Sequence, residues 1–255
     1  MNDFILDGIT WSYSSVNCYK TCPRCFKLSY IDCLTKVNNA FASWGSFMHS
    51  LLERYFKGEC EFFELSEAYK AKYKENVTEK FPYNAFVDLS SSYYDAGVRY
   101  LNNFDGLPDN YDVLGVEQKV ELIIEKYKFI GYIDLIIKDK NDNKIIIVDH
   151  KSKNKFKSKK EKAEYLRQLY LYSLYIKQKY GEYPKELKFN MIRGEMITET
   201  FKESECKKAV EWFTETIKMI YQDNTYDENP DDFFCDNLCG VREHCPKSSK
   251  YKGCD

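Results

Sequence analysis

The sequence predicts a mixed α/β fold, a central sheet carried between helical segments. Two observations carry that expectation. Apolar residues recur at helical spacing through the first hundred positions, and the middle of the chain then switches to runs rich in Ile, Val, Tyr and Phe. The order is helices, a sheet, a long helix, a strand pair, a further helix and a cysteine-rich tail, which suits packed layers around one core.

Each element follows from local chemistry. Ser14 is expected to cap a helix from about Ser15 to Ile31, and Gly58 to stop a second over Trp44–Lys57. Further helices are predicted over Leu65–Thr78 and Ser91–Phe104, before Gly106-Leu107-Pro108 breaks the pattern. Strands are expected at Val113–Ile124, Tyr127–Lys138 and Lys144–Asp149, with Asn141-Asp142-Asn143 turning between the last two. A helix over Glu161–Tyr180 ends at Gly181, strands follow at Glu186–Arg193 and Met196–Phe201, and a helix spans Glu203–Tyr221. Three consecutive regions result: a helical one over 1–110, a core over 111–202, and a helix with a cysteine-rich tail over 203–255, forming one integrated unit.

Bulk composition limits the function classes. The chain has 255 residues, 44% of them hydrophobic, enough for a sizeable core. The formal net charge is −2, so any affinity for nucleic acid must come from a local basic patch. No run of eighteen apolar residues occurs, so no membrane contact is expected. Residues Met1–Thr10 carry Asp3 and Asp7 without a basic stretch and do not read as a secretion signal, so a cytoplasmic location is expected. In a reducing compartment, ten cysteines favour metal binding over disulfides.

The chemistry gathers at the strands. Asp149-His150-Lys151 ends the apolar run Ile145–Val148, and alternation along a strand puts Asp149 and Lys151 on one face. Asp134 interrupts the apolar run Gly131–Ile137 on the preceding strand. A carboxylate in such surroundings needs a cation or hydrogen-bond donors. Two carboxylates on adjacent strands can share a divalent ion, and oxygen ligands favour Mg²⁺ or Mn²⁺. Lys151 would orient water or stabilise charge on a phosphate, although Asp-x-Lys alone equally suits an ordinary charged strand end. On the helix containing Gly45–Glu53, His49 offers an imidazole for the same ion, or packs against the core. Gln168 and Tyr172 lie four apart on the long helix and share a face.

Together these segments resemble the RecB-type branch of the PD-(D/E)XK nucleases, which includes CRISPR-adaptation and AddB-like recombination nucleases. The resemblance rests on Cys22-Pro23-Arg24, Gly45–His49, Gly131–Asp134, Val148–Lys151 and Gln168–Tyr172, in the family's order and across most of the chain. It implies a restriction-endonuclease-like sheet and a Mg²⁺- or Mn²⁺-dependent deoxyribonuclease, with single-stranded or unwound DNA ends as the expected substrate. It implies metal ligation by His49, Asp134 and Asp149 with the His150 carbonyl, and Lys151 as the catalytic lysine. Gln168 and Tyr172 match the family's Gln-x-x-x-Tyr motif, and Glu117 occupies the place of an acidic residue that often precedes the catalytic strands. Asp149 stands where the family more often has Glu, which keeps the charge. A catalytically inactive DNA-binding or scaffold subunit on the same fold is the alternative. The chain lacks a Walker-type phosphate loop, so a helicase motor or a CRISPR-adaptation protein would be a separate partner.

In that branch one early cysteine and three late ones hold a [4Fe–4S] cluster, which implies Cys22, Cys235, Cys239 and Cys245 as its ligands here. Zinc is satisfied by the same four thiolates. The late trio is spaced Cys-x₃-Cys-x₅-Cys, where the family more often has two residues in the first gap, and Cys18, Cys25, Cys254 and His244 stand nearby as further candidates. Cys33, Cys60 and Cys206 read as ordinary thiols. Joining Cys22 to the tail closes a loop of about two hundred residues, which on a cross-link model stabilises by a few kcal/mol.

Seven lysines, at 151, 153, 155, 157, 159, 160 and 162, crowd the stretch after the DHK strand, with Glu161 as their acidic neighbour. The run is either a solvated loop or a contact for backbone phosphates. Tyr93, Tyr94 and Phe156 are candidates to stack on bases, with core packing the more ordinary use of such residues.

Overall fold

A computed structural model describes residues 2–229 and 231–253. It divides into two compact units that interleave along the chain. One comprises residues 40–120 and 132–206. The other comprises 1–39, 121–131 and 207–255.

A five-stranded mixed sheet, apart from its residues within 121–131, organises the first of these. The strands are β1 (Tyr111–Ile124), β2 (Tyr127–Asp139), β3 (Ile145–Lys151), β4 (Glu186–Met191) and β5 (Ile197–Thr200), in that spatial order. β2 and β3 are antiparallel, with Leu135 opposite Val148, so Asp134 and Asp149 are the next residues along the ladder. β3 and β4 are parallel, with His150 opposite Asn190. Because strand side chains alternate, Leu135, Ile137, Ile146 and Val148 share one apolar face, with Phe56 packed on it. Asp134, Asp149 and Lys151 belong to the other face.

Three helices form a separate apolar cluster in the same unit: α4 (Ala40–Phe56), α5 (Leu65–Asn76) and α6 (Leu89–Asn102). α4 buries Trp44, Phe47, Met48, Leu51 and Leu52 at three- and four-residue spacing, which leaves His49 and Glu53 off the apolar stripe and half-buried. Its Gly45, one turn before His49, faces Ser152 just beyond β3. α7 (Lys159–Tyr180) starts at the Ser158 cap and stops at Gly181, which takes the left-handed conformation expected of a helix-ending glycine.

The other unit contains α1 (Asn2–Asp7), α2 (Tyr13–Thr21), α3 (Pro23–Phe26), most of α8 (Glu203–Gln222) and the tail. The helix predicted over Ser15–Ile31 is three pieces. Pro23 cannot donate to the helical ladder, and Cys22 takes an extended φ of −159°, closing α2 and capping α3. Residues Lys27–Ile31 then form a π-helical turn. The cap of α2 is Ser12 in place of the expected Ser14, because Ser12 and Ser15 bond reciprocally to each other's backbone. α4 starts four residues before its predicted Trp44, and α6 is capped by Asp88, whose carboxylate accepts from Ser90 and Ser91. No described helix is long and apolar enough to cross a membrane.

Candidate active site and cysteine centre

His49, Glu117 and Asp134 converge. Their ligand atoms, one from each, lie within 4.8 Å of one another, drawn from α4, β1 and β2. His49 Nδ1 is 3.6 Å from Asp134 Oδ2, and the same oxygen accepts the His150 main-chain N–H at 2.6 Å. The backbone of β3 thus fixes the carboxylate of β2. Glu117 adopts a φ of 46°, a left-handed conformation uncommon for a side chain of this kind. Burial, together with the Asp134 and Glu53 carboxylates, pushes its pKa up to about 7. Crowded carboxylates with an adjacent imidazole are a donor set suited to a hard divalent cation, which would relieve their repulsion.

Asp149 lies outside that trio. It is 4% exposed, and its Oδ2 faces the Lys151 ammonium at 2.7 Å, with no other hydrogen-bond donor among the described residues. Burial raises the Asp149 pKa against the pull of Lys151. For Lys151, burial disfavours the charge, but Asp149 and Asp134 outweigh it and raise the pKa. The ammonium also reaches Gln168 Oε1 at 3.4 Å, and Gln168 Nε2 donates to the Tyr172 hydroxyl at 2.9 Å. The Gln168–Tyr172 pair of α7 therefore meets the lysine of β3.

The His150 side chain points away from this cluster's carboxylates by strand alternation. Burial drives its imidazole down to about 3, so it is neutral near pH 7. Asn190 Nδ2 lies 2.9 Å from His150 Nδ1 and donates to the Tyr100 hydroxyl at 2.6 Å. Asn190 and Tyr100 did not emerge from the sequence as functional candidates. The available signal was an amide inside the otherwise apolar end of β4.

The cysteines gather in the other unit. Cys22, Cys25, Cys239 and Cys245 are buried in one cluster with Leu28 and Val241. Cys235 joins these four in lining a small cavity. Cys25, a secondary candidate in the sequence, is central: its sulfur is 3.4 Å from that of Cys18 and 3.6 Å from that of Cys239. The Cys18 contact above all, with burial, pushes the Cys25 thiol up to about 12. The Cys25 contact, with burial, also raises Cys239. Soft sulfur donors in an enclosed site fit a zinc ion or an iron–sulfur cluster once deprotonated. The tail is held to the early segment by hydrogen bonds as well: Val37 N–H donates to the Gly240 carbonyl at 2.8 Å, and Arg242 binds the carbonyls of Val37 and Asn38. His244 Nε2 lies 3.1 Å from the Thr35 carbonyl. Cys33 is exposed, Cys60 half-buried, and Cys206 is buried against the Tyr170 carbonyl. Cys254 lies outside the described residues.

The lysine run is only partly unpaired. Lys151 faces Asp149, Lys153 pairs with Glu161 at 2.7 Å, and Lys162 pairs with Glu199 at 2.5 Å. Lys155, Lys159 and Lys160 are exposed with no carboxylate partner among the described residues. The candidate stacking rings pack internally: Tyr93 against Trp44 and Phe81, Tyr94 against Tyr73, and Phe156 against Phe189.

The sheet brings two acidic strands, a lysine and a helical histidine together, and three of these side chains, His49, Glu117 and Asp134, could hold a metal ion. The family model of the PD-(D/E)XK nuclease superfamily matches residues 10–246, and the chain belongs to that superfamily. No curated protein matches the chain.

Proposed function

We propose that the protein is a metal-dependent DNA nuclease of the RecB-type branch, acting as an exonuclease on single-stranded or unwound ends. The observation that carries this is the convergence of His49, Glu117 and Asp134 beside the buried Asp149–Lys151 pair. His49, Glu117 and Asp134 would hold Mg²⁺ or Mn²⁺, with Asp149 and the His150 carbonyl as the further ligands implied by the resemblance. A cation held there would supply Lewis-acid stabilisation of a phosphoryl group. Lys151, kept charged by Asp149, places its ammonium where negative charge develops during phosphodiester cleavage. Gln168 holds that ammonium, and Tyr172 holds Gln168. The exposed Lys155, Lys159 and Lys160 neutralise strand phosphates without reading sequence.

The same reading places a [4Fe–4S] cluster, or zinc, on Cys22, Cys235, Cys239 and Cys245 as a staple of the unit they occupy, with Cys25 as a competing ligand. A cytoplasmic location fits reduced thiols and an iron–sulfur cofactor. DNA recombination, repair or CRISPR and phage DNA processing are the fitting contexts, with a helicase or adaptation protein as a separate partner.

The test is cleavage of end-labelled linear and of circular single-stranded DNA in Mn²⁺, comparing wild type with Lys151→Ala. Wild type should degrade the linear strand and spare the circle, and the variant should be slower by about 10²–10³-fold. Equal cleavage by both proteins would implicate a contaminant. Cleavage by neither favours the inactive, DNA-binding alternative.

A further inference from the structure

On the sheet face opposite Asp149 lies a cavity of about 560 Å³, within the range of about 300–1,000 Å³ typical of small-molecule sites. Its composition is one-sided. Arg99, Lys188 and Arg193 line it, and no Asp or Glu does. Lys188 is paired with Glu186 at 3.1 Å, but Arg99 and Arg193 have no carboxylate partner among the described residues. The Arg193 guanidinium lies 3.9 Å over the Tyr93 ring, and its buried Nε makes no hydrogen bond. The site is therefore complementary to an anion.

The rest of the lining suits a planar group. Phe56, Tyr100, Phe104 and Tyr111 contribute aromatic surface. Asn190, 8% exposed, spends its amide nitrogen on Tyr100 and His150, which leaves Oδ1 without a partner among the described residues. That oxygen remains available to accept an N–H from a ligand. Cations, aromatic faces and an open acceptor together match one nucleotide: phosphate, base plane and base edge.

We infer that this cavity takes an unpaired nucleotide of the substrate strand, with its base among the aromatic rings and its phosphate at Arg99 and Arg193. A paired base cannot enter a concave site without leaving its stack, so the cavity selects frayed or single-stranded DNA. Its position agrees with that role, because His150 lines it and the His150 ring lies 5.6 Å from that of His49 in the metal trio. The inference deepens the nuclease reading and rests on it for the identity of the strand.

The test uses 2-aminopurine, whose fluorescence falls when the base stacks on aromatic rings. The probes are a single strand with 2-aminopurine at its terminal nucleotide, and a duplex with it in the interior, titrated with the full chain in EDTA. Arg99→Glu and Met196→Glu alter exposed cavity residues that are not members of the metal trio, and their melting temperatures should match wild type. Wild type should quench the single strand saturably and leave the duplex unchanged, and each variant should bind about tenfold more weakly. Absence of quenching, equal affinity in both variants, or equal quenching of the duplex would each overturn the inference. Mn²⁺-dependent cleavage is read separately. Lost quenching with intact cleavage ends the cavity proposal alone, whereas retained quenching without cleavage supports the cavity and ends the nuclease reading.

Discussion

Replacing Lys151 by Met should destabilise the metal-free protein more than most single substitutions do. The ammonium stands 2.7 Å from Asp149 Oδ2. At an effective dielectric constant of about 20, Coulomb's law gives an attraction of about 6 kcal/mol at that separation. Desolvation of both groups cancels part of it, but the remaining carboxylate is only 4% exposed and would have no other donor at Oδ2. Breaking a buried pair from one side costs about 3–5 kcal/mol. The Asp149→Asn/Lys151→Met double variant removes the stranded charge and should lose only about 1–3 kcal/mol, the cost of an unsatisfied buried amide. The pH dependence has a definite sign. The Asp149 pKa is already raised by burial and rises further without Lys151, so the deficit is largest above that pKa and shrinks as acidification neutralises the carboxyl. Urea denaturation in EDTA at about pH 8 and about pH 5 measures all three proteins. A loss below about 1 kcal/mol for Lys151→Met at about pH 8, or a double variant no more stable than the single one, would refute this reasoning.

Other expectations test separate parts of the molecule. Glu117 is held with a raised pKa of about 7, so folding opposes its charged form, and that penalty appears as pH rises through 7. Glu117→Gln should raise the melting temperature in EDTA at about pH 8, with the gain fading towards about pH 5, and should weaken Mn²⁺ binding by calorimetry. Cys22→Ala and Cys239→Ala should each reduce bound iron or zinc, measured by elemental analysis after anaerobic purification, and lower the melting temperature, whereas Cys33→Ala should change neither. Converting Lys155, Lys159 and Lys160 together to Ala should reduce the salt dependence of single-strand binding by a slope of about 2, because each phosphate contact contributes about 0.7. An unchanged slope would make the run a solvated loop.

The two acidic strands were legible because few physical routes exist for an acid inside an apolar strand. Asp134 interrupts and Asp149 ends a run of branched residues, and alternation alone predicts that Asp149 and Lys151 share a face. His49 was legible for a related reason, since it falls beside the apolar stripe of α4 and not within it. Glu117 was weaker in sequence because it opens a polar run, Glu117-Gln118-Lys119, where one more charge is unremarkable, and its convergence with His49 and Asp134 depends on a backbone twist at φ 46° that composition does not announce. The region around Cys22 misled because helical periodicity continues through Pro23 while the backbone does not. The prominence of Cys25 was hidden for the same reason: a straight helix spaces Cys18, Cys22 and Cys25 along one face, whereas the break folds Cys25 towards Cys239. Long-range pairs such as Lys162–Glu199 are invisible to local charge counting, which is why the lysine run looked more open than it is.

Manganese offers the most direct view of the proposed centre, because its anomalous X-ray scattering locates the ion independently of any assay. In crystals soaked with Mn²⁺, the expected result is an anomalous difference peak within ligating distance of His49 Nδ1 and a carboxylate oxygen of Asp134, and this peak should be absent from Asp134→Asn crystals. A peak bound elsewhere, or none at saturating Mn²⁺ with these side chains ordered, would contradict the assignment of this group as the metal site of the nuclease.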